Sequence, residues 1–337
     1  MTDHEKRTRE EYAWKLIEHQ LGETLLGYLD DPTCTEIMAN PDGSVWVETQ
    51  GKGVWKLDHT MTPESRLQII EAVASYADKV CNADDPEVGD VLPLVRARFQ
   101  GFRPPASYAP GFAIRVPSRQ LIPLSSWLES GSLSSEQAAL LTDAIDHRRN
   151  ILVAGSTGSG KTTFCNALLA RLEESDHRIL TIEDTPELQC KARNLVPLYV
   201  NRQGNFQYQQ ALFIALRLRP DRIVVGELRD GLATLELLKA WNTGHGGGMA
   251  TIHANNALAS LFRVEQLLQE RVTRPSRTLI AEAIDHVVFL ERYTDAQGKP
   301  ARRVCDVATV ANTLDSSARY RLTSCLHPSL SPQRGAQ

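Results

Sequence analysis

One stretch of eight residues constrains the fold more than any other part of this chain. Residues 155–162 read Gly-Ser-Thr-Gly-Ser-Gly-Lys-Thr, the G-x-x-x-x-G-K-[ST] pattern of a phosphate-binding P-loop. Such a loop needs a buried strand before it and a helix after it. The apolar run that begins at Ile151 and the segment from Thr162 to Leu172 meet both requirements. The stretch therefore predicts a strand–loop–helix unit that binds a nucleoside triphosphate.

Each part of the P-loop has a predicted task at the nucleotide. Its glycines let the backbone N–H groups point inward around a phosphate. Lys161 supplies a positive charge for the β- and γ-phosphates, and the Thr162 hydroxyl is the kind of oxygen ligand that Mg²⁺ prefers. The helix that follows presents its positive end to the anion. The residues of this loop predicted to bind the nucleotide are Gly155, Ser156, Thr157, Gly158, Ser159, Gly160, Lys161, Thr162 and Thr163.

Composition excludes several classes of protein. A length of 337 residues with 42% apolar and 23% charged residues predicts a soluble protein of two domains. The net charge of -4 argues against a large nucleic-acid-binding face. The six cysteines form no C-x-x-C pair, so neither a disulfide framework nor a thiolate zinc site is expected. The polar N-terminus and the lack of an apolar run of about 18 residues predict a cytosolic protein.

The first part of the chain reads as a small α+β module. Residues 1–30 carry apolar side chains at helical spacing, which predicts an N-terminal helix that acts as a lid or a subunit contact. Short strands and a helix are predicted over residues 31–115, which form the N-terminal domain. Residues 116–124 contain Pro117 and Pro123 with little periodicity, and they are interpreted as the linker.

Residues 125–319 read as an α/β domain. Apolar strands that alternate with helices predict a mostly parallel sheet covered on both faces. Residues 320–337 turn to Ser, Pro and Gln and are predicted to be a disordered tail. The predicted strands of the domain are 150–154, 178–183, 222–227, 248–252, 286–291 and 303–310, and its predicted helices are 161–173, 206–217, 231–242, 256–270 and 276–283.

Two predicted strands end in carboxylates. Glu227 ends the apolar strand from Arg222, which is the layout of a Walker B strand, and it is expected beside the Mg²⁺, which it holds through water. Glu183 and Asp184 end a second strand. The carboxyl ends of strands in an open α/β sheet are where ligands bind, so these side chains are expected in one pocket. Hydrolysis needs one acidic group for the metal and one for the attacking water, and the residues alone leave that division open.

Two histidines lie around a glycine-rich loop and a short apolar strand, both of which follow Glu227 in the chain. His245 lies in the loop, and His253 ends the short apolar strand that follows. Because no cysteine or third ligand lies nearby, zinc binding is not expected. His253 ends its strand on the same predicted edge as Glu227, where it is placed to donate a hydrogen bond to the γ-phosphate.

The order and spacing of four motifs resemble those of the type II/type IV secretion ATPases. The motifs are the P-loop, Thr-Ile-Glu-Asp at 181–184, Val-Gly-Glu-Leu-Arg-Asp at 225–230 and the His-containing segment 243–255. The chain looks most like the conjugative-transfer TrbB branch, because segments 36–43, 98–105 and 112–115 are similar to the N-terminal domain of that branch. The resemblance covers about residues 30 to 310.

The resemblance implies a homo-hexameric ring of two-domain subunits, each with a smaller α+β domain before a RecA-like P-loop domain. ATP and Mg²⁺ would bind at the domain boundary and drive pilus assembly or substrate translocation. The ring would be cytoplasmic and held peripherally at the inner membrane by partner components of the apparatus. The catalytic residues it implies are Lys161 on the phosphates, Glu183 as the water-activating base, Glu227 supporting the metal and His253 as γ-phosphate sensor, with Arg98 and Arg115 reaching the phosphates.

Three alternatives remain open at this stage. The chain lacks the four-cysteine zinc insertion of type II secretion ATPases and shows no match to the terminal signature of pilus-retraction ATPases, so these branches are alternatives. A RecA-like motor acting on nucleic acid is disfavoured by the acidic net charge. A nucleotide-gated scaffold is disfavoured because a pure binder needs no water-activating carboxylate.

Weaker candidates for an arginine finger are Arg217, Arg219 and Arg229.

Overall fold

The computed structural model describes residues 3–95, 97–117, 121–200, 206–295, 297–298 and 300–330. The chain divides into two compact units, Met1–Gln120 and Leu121–Gln337. Each unit has its own sheet. The domain limits inferred from the sequence, including a separate N-terminal helix, stay a prediction.

The first unit is a helix-backed antiparallel sheet. Its six strands lie in the order β3-β2-β1-β6-β5-β4, and every pairing between neighbours is antiparallel. A capped start, in which the Thr62 hydroxyl accepts from Ser65 N, begins the second helix. The elements in chain order are α1 Asp3–Asp30, β1 Cys34–Ala39, β2 Ser44–Thr49, β3 Gly53–Thr60, α2 Pro63–Tyr76, β4 Glu87–Val91, β5 Arg98–Phe102 and β6 Gly111–Arg115.

The helix α1 is part of the core of the first unit. Its backbone departs from helical geometry at Gly22, where φ is 68°. Ile17, Leu21, Leu25 and Leu29 are buried in the apolar core of this unit. The face that carries Tyr12 and Leu16 is exposed, so a subunit contact through it stays a prediction.

The second unit is a three-layer α/β structure. Its eight strands lie in the order β14-β13-β12-β7-β11-β10-β8-β9, and the five pairings from β12 to β9 are parallel. The elements in chain order are α3 Leu124–Glu129, α4 Ser135–Asp146, β7 Ile151–Gly155, α5 Lys161–Ala170, β8 Arg178–Glu183, β9 Asn194–Tyr199, α6 Tyr208–Arg217, β10 Arg222–Val225, α7 Gly231–Asn242, β11 Met249–His253, α8 Ala257–Gln269, α9 Arg277–Ala283, β12 His286–Thr294, β13 Pro300–Val310 and β14 Leu322–Leu326.

Strand β7 lies inside the sheet and is buried on both faces. Leu152 and Ala154 point into one apolar core, and Ile151 and Val153 point into the other. Helices cover both faces, as expected for a largely parallel sheet. The predicted α/β class is confirmed, with a mixed sheet because β13 and β14 add antiparallel pairings at one edge.

Strand β14 corrects the predicted disordered tail. Residues 322–326 pair antiparallel with β13, and the Ser324 hydroxyl donates to Asp306 Oδ2 at 2.8 Å. The polar composition gave no sign of this strand because its order comes from backbone pairing with a distant segment. Residues 331–337 lie outside the described residues.

Strand β9 and helix α3 were also not predicted. Among the helices that the structure describes, none combines the length and hydrophobicity needed to cross a bilayer.

Candidate nucleotide-binding site

The P-loop connects the buried end of β7 to the start of α5. Gly158 and Gly160 have φ angles of 72° and 91°, which favour glycine because a Cβ would strain the backbone there. At Gly155 a Cβ would lie 2.4 Å from Ser159 Oγ and 2.5 Å from the carbonyl oxygen of Leu290. All three glycines are therefore required by the shape of the loop.

Lys161 is the first residue of α5 and is buried. Its ammonium group donates to the carbonyl oxygens of Gly155 at 3.1 Å and Ser156 at 3.0 Å. It also lies 3.2 Å from His253 Nδ1. The lysine is thus held against its own loop, which is where a phosphate would compete for it.

His253 joins the lysine to a carboxylate. Its Nε2 lies 3.2 Å from Glu227 Oε1, while its Nδ1 faces Lys161. Arg229 donates to the other oxygen of Glu227. The structure thus brings together Lys161, His253 and Glu227, as the strand-end argument predicts. Glu227 does not end β10 but follows it by two residues. The strand ends at Val225, and the N–H of the next residue, Gly226, donates to Ile182 O.

Glu183 ends β8 and is 3% exposed. Its Oε2 accepts hydrogen bonds from the backbone N–H groups of Glu187 at 2.8 Å and Leu188 at 2.9 Å. Burial raises the pKa of this carboxyl to about 7, and the two N–H donors oppose that rise. A carboxyl that titrates near neutral pH is suited to accept a proton from water.

Asn166 on α5 fixes the loop that holds Glu183. Its side-chain amide donates to Glu187 O at 2.9 Å, and its oxygen accepts from Gln189 N at 2.9 Å. The asparagine therefore ties the P-loop helix to the segment that donates to the carboxylate. Sequence reasoning missed this residue, since a single asparagine in a helix gives no local signal of a contact with a distant loop.

The oxygen-bearing side chains at this site suit a Mg²⁺ ion that keeps part of its water shell. They do not suit a cation coordinated by protein ligands alone. Among the described residues, no group of three or more His, Cys, Asp or Glu side chains is arranged to hold a metal. Thr162 and Thr163, both half-buried, lie in the first turn of α5, and Glu227 is linked through His253 to Lys161 on the same turn. Mg²⁺ commonly keeps several waters and binds through one or two carboxylates and the substrate phosphates, which this set allows. Ser156 and Thr157 are exposed at the tip of the loop.

Arg98 and Arg115 lie in the first unit and are neighbours there. They face each other across β5 and β6, and Glu36 on β1 is the next residue in the same row. Phe99 and Ile114, which follow and precede them, are buried, so the arginines occupy the face away from the core. Two guanidinium groups directly opposite each other repel, and an anion would relieve that repulsion.

A second arginine pair lies beside the P-loop and was not found from the sequence. Arg292 on β12 and Arg302 on β13 are paired in the hairpin, and Arg302 Nε donates to Gly158 O at 3.0 Å. The register of this hairpin, which sets Arg292 opposite Arg302, cannot be read from composition. The one feature of the sequence that could have indicated this pair is the presence of arginine at both positions.

The family profile described as type II/IV secretion system protein matches residues 25–335. The chain belongs to this family. It is 40% identical over 306 residues to the conjugal transfer protein TrbB of Rhizobium radiobacter, covering 90% of this chain and 93% of that protein. It is 32% identical over 289 residues to the type IV secretion system protein VirB11 of Bartonella henselae, covering 74% of this chain and 80% of that protein.

A solved ATPase structure has the same fold. The ATPase DotB of Legionella pneumophila superposes with a TM-score of 0.61 and 17% identity, covering 82% of this chain and 77% of that one. At that identity the likeness concerns the fold. The predicted membership of the secretion ATPases and the likeness to the TrbB branch are confirmed.

Proposed function

We propose that this protein is a Mg²⁺-dependent ATPase that powers a conjugative-transfer or other type IV secretion apparatus as a homo-hexameric motor. The observation that carries the proposal is the chain of contacts from Lys161 through His253 to Glu227 at the end of the P-loop strand. The similarity to TrbB over 90% of the chain supports the conjugative role. Docking at the inner membrane through partner components of the apparatus belongs to the same proposal.

Binding of ATP would rearrange the lysine. The β- and γ-phosphates are stronger acceptors for an ammonium group than the carbonyl oxygens of Gly155 and Ser156, because their hydrogen bonds are charge-assisted. As Lys161 turns to the phosphates, His253 loses its lysine contact, and a ring that carries a proton on both nitrogens would donate from Nδ1 to the γ-phosphate. Its Nε2 still faces Glu227, so the histidine would link the presence of the γ-phosphate to the position of that carboxylate.

Hydrolysis would then follow from the two carboxylates. Mg²⁺, held by the Thr162 hydroxyl and by Glu227 through water, would neutralise charge on the β- and γ-phosphates. Glu183 orients a water molecule and takes its proton while the oxygen forms a bond to the γ-phosphorus and the bond to ADP breaks. A pKa of about 7 allows this carboxyl to be ionised at cellular pH and still accept a proton. Arg98 and Arg115 would add positive charge at the phosphates.

Removal of the lysine tests the site. Lys161→Ala is expected to reduce phosphate release from ATP by more than tenfold, a loss of over about 1.4 kcal/mol in transition-state stabilisation. Lys191→Ala, which removes an exposed lysine from the same unit, is the matched control and should hydrolyse ATP at the wild-type rate. Hydrolysis by Lys161→Ala above a tenth of the wild-type rate would show that the reaction occurs elsewhere.

The cellular role needs its own test. The gene is expressed in donor cells whose conjugative plasmid lacks its own TrbB, and the frequency of plasmid transfer is measured. Restoration by the wild type but not by Glu183→Gln is the expected result. Stimulation of hydrolysis by single-stranded DNA, without restoration of transfer, would favour a nucleic-acid motor instead.

A further inference from the structure

The hairpin formed by β12 and β13 extends beside the P-loop. Strand β12 runs parallel to β7, with Leu290 paired to Gly155, the last residue of β7. The four residues 291–294 therefore continue past the end of β7, alongside the loop. Strand β13 returns antiparallel to them and places Arg302 opposite Arg292.

Both arginines face the phosphate loop. Arg302 Nε donates to the carbonyl oxygen of Gly158 at 3.0 Å. A Cβ placed on Gly160 would lie 3.1 Å from Arg302 Cδ, and one placed on Gly158 would lie 3.6 Å from Arg292 Nη1. The guanidinium groups thus approach the loop at its two glycines with positive φ.

The charge of this face is matched to an anion. Residues 151–172, which form the P-loop and its flanking elements, contain no Asp or Glu. Like charges directly opposite each other across two strands are destabilising. The adjacent Arg303 donates from Nε to Glu291 Oε1 at 2.6 Å, and its guanidinium lies over the Tyr293 ring rather than at the loop. Arg292 and Arg302 bring their guanidinium groups to the loop itself.

We infer that Arg292 and Arg302 form a second wall of the nucleotide site, made by the same unit as the P-loop. Arg292 binds the phosphate chain of a nucleoside di- or triphosphate, since a guanidinium matches the geometry of phosphate oxygens. Arg302 is a positioning residue, which holds the Gly158 carbonyl and keeps the inward-facing N–H groups of the loop in place. The inference rests on the proposed function, because it assumes that the P-loop binds nucleotide.

Steady-state kinetics and ADP titration calorimetry on the full chain test the inference. Arg292→Gln and Arg302→Gln are each expected to raise KM for ATP and Kd for ADP about tenfold, with kcat within about twofold of the wild type, because the contacts are made equally in ground and transition states. Arg292→Gln should also lessen the rise of Kd with added salt, since one phosphate contact is lost. A merely structural defect would lower kcat by reducing the active fraction.

Arg303→Gln is the matched control. It removes a charge from the same strand and breaks a hairpin ion pair, yet it should leave KM and Kd unchanged. If Lys161→Ala abolishes ADP binding while Arg292→Gln and Arg302→Gln bind like Arg303→Gln, the second wall is wrong and the proposed function stands. If Lys161→Ala binds ADP like the wild type, the nucleotide site itself is misplaced, and both ideas fail.

Discussion

At the scale of single residues, Glu183 shows burial and hydrogen bonding acting in opposite directions on one carboxyl. It is buried behind the P-loop helix, and burial disfavours its ionised form. Two backbone N–H donors recover part of that cost by binding Oε2. The result is a carboxyl whose pKa lies at about 7, where the catalytic role proposed for it needs a base. If Glu183 acts as proposed, its burial lowers stability in favour of catalysis, a trade that is common at functional sites.

Glu183→Gln is expected to stabilise the nucleotide-free protein at high pH. A folded-state pKa raised from 4.5 to about 7 means that the folded wild type binds more protons than the unfolded chain between these values. The free energy of unfolding of the wild type therefore falls as pH rises through this window, by about 3 kcal/mol in total. Glutamine is neutral throughout, so the variant should be more stable by about this amount at pH 8 and nearly equal near pH 4.5.

Urea unfolding at several pH values between about 4.5 and 8 measures this difference. Glu187→Gln is the matched control. It removes a carboxylate from the same loop but keeps the backbone N–H that donates to Glu183. A stability difference between Glu183→Gln and the wild type that does not change with pH would mean that Glu183 titrates normally.

At the scale of elements, the helices of the second unit pack closely enough that some contacts admit only glycine. Gly231 is the first residue of α7, after Asp230, whose Oδ1 accepts from Ala233 N at 2.7 Å. A Cβ at Gly231 would lie 2.1 Å from the carbonyl oxygen of Leu267 on α8. This contact involves backbone atoms, so no rotamer change relieves it.

Gly231→Ala is expected to lower the free energy of unfolding by about 2 kcal/mol or more, because α7 and α8 must move apart. Gly27→Ala makes the same chemical change in α1, where a Cβ would meet no atom within 4 Å. The control should be stabilising by about 0.5–1 kcal/mol, since alanine loses less conformational entropy in a helix. Thermal and urea unfolding of both variants would check the contrast, and equal effects of the two substitutions would contradict the packing argument.

At the scale of the whole molecule, the described structure has one apolar core in the first unit, two on the faces of the second unit's sheet, and an arginine pair on each unit. The pair on the second unit lies beside the P-loop, and the pair Arg98 and Arg115 lies on the first unit. In the proposed mechanism the first unit acts on a nucleotide held by the second. ATP would then couple the two units, and release of phosphate would uncouple them.

Arg98→Ala and Arg115→Ala are each expected to lower kcat at least tenfold while shifting Tm by less than about 2 °C, because both side chains lie outside the core of their unit. Lys56→Ala, on β3 of the same sheet, is the control for loss of an exposed charge. Small-angle scattering with and without nucleotide should show compaction in the wild type and the control only. Wild-type turnover and compaction in both arginine variants would leave these side chains as surface charges.

The sequence alone predicted the P-loop motif, the α/β class of the second unit and the strand ends that carry Glu183 and His253, whereas Glu227, also predicted at a strand end, lies two residues beyond β10. These features are local. A phosphate loop uses the N–H groups of consecutive residues, and a buried strand is visible as a short apolar run.

Which groups meet is visible only in the tertiary structure. The contact of Lys161 with His253 joins segments far apart in the chain. The register that sets Arg292 opposite Arg302 and the pairing that orders β14 join successive strands, and they too form only when the sheet assembles. Register and edge pairing depend on how whole sheets pack, and a residue's own neighbours in sequence carry no record of that packing. The candidate site residues were therefore predicted from short motifs, whereas the contacts around them were not.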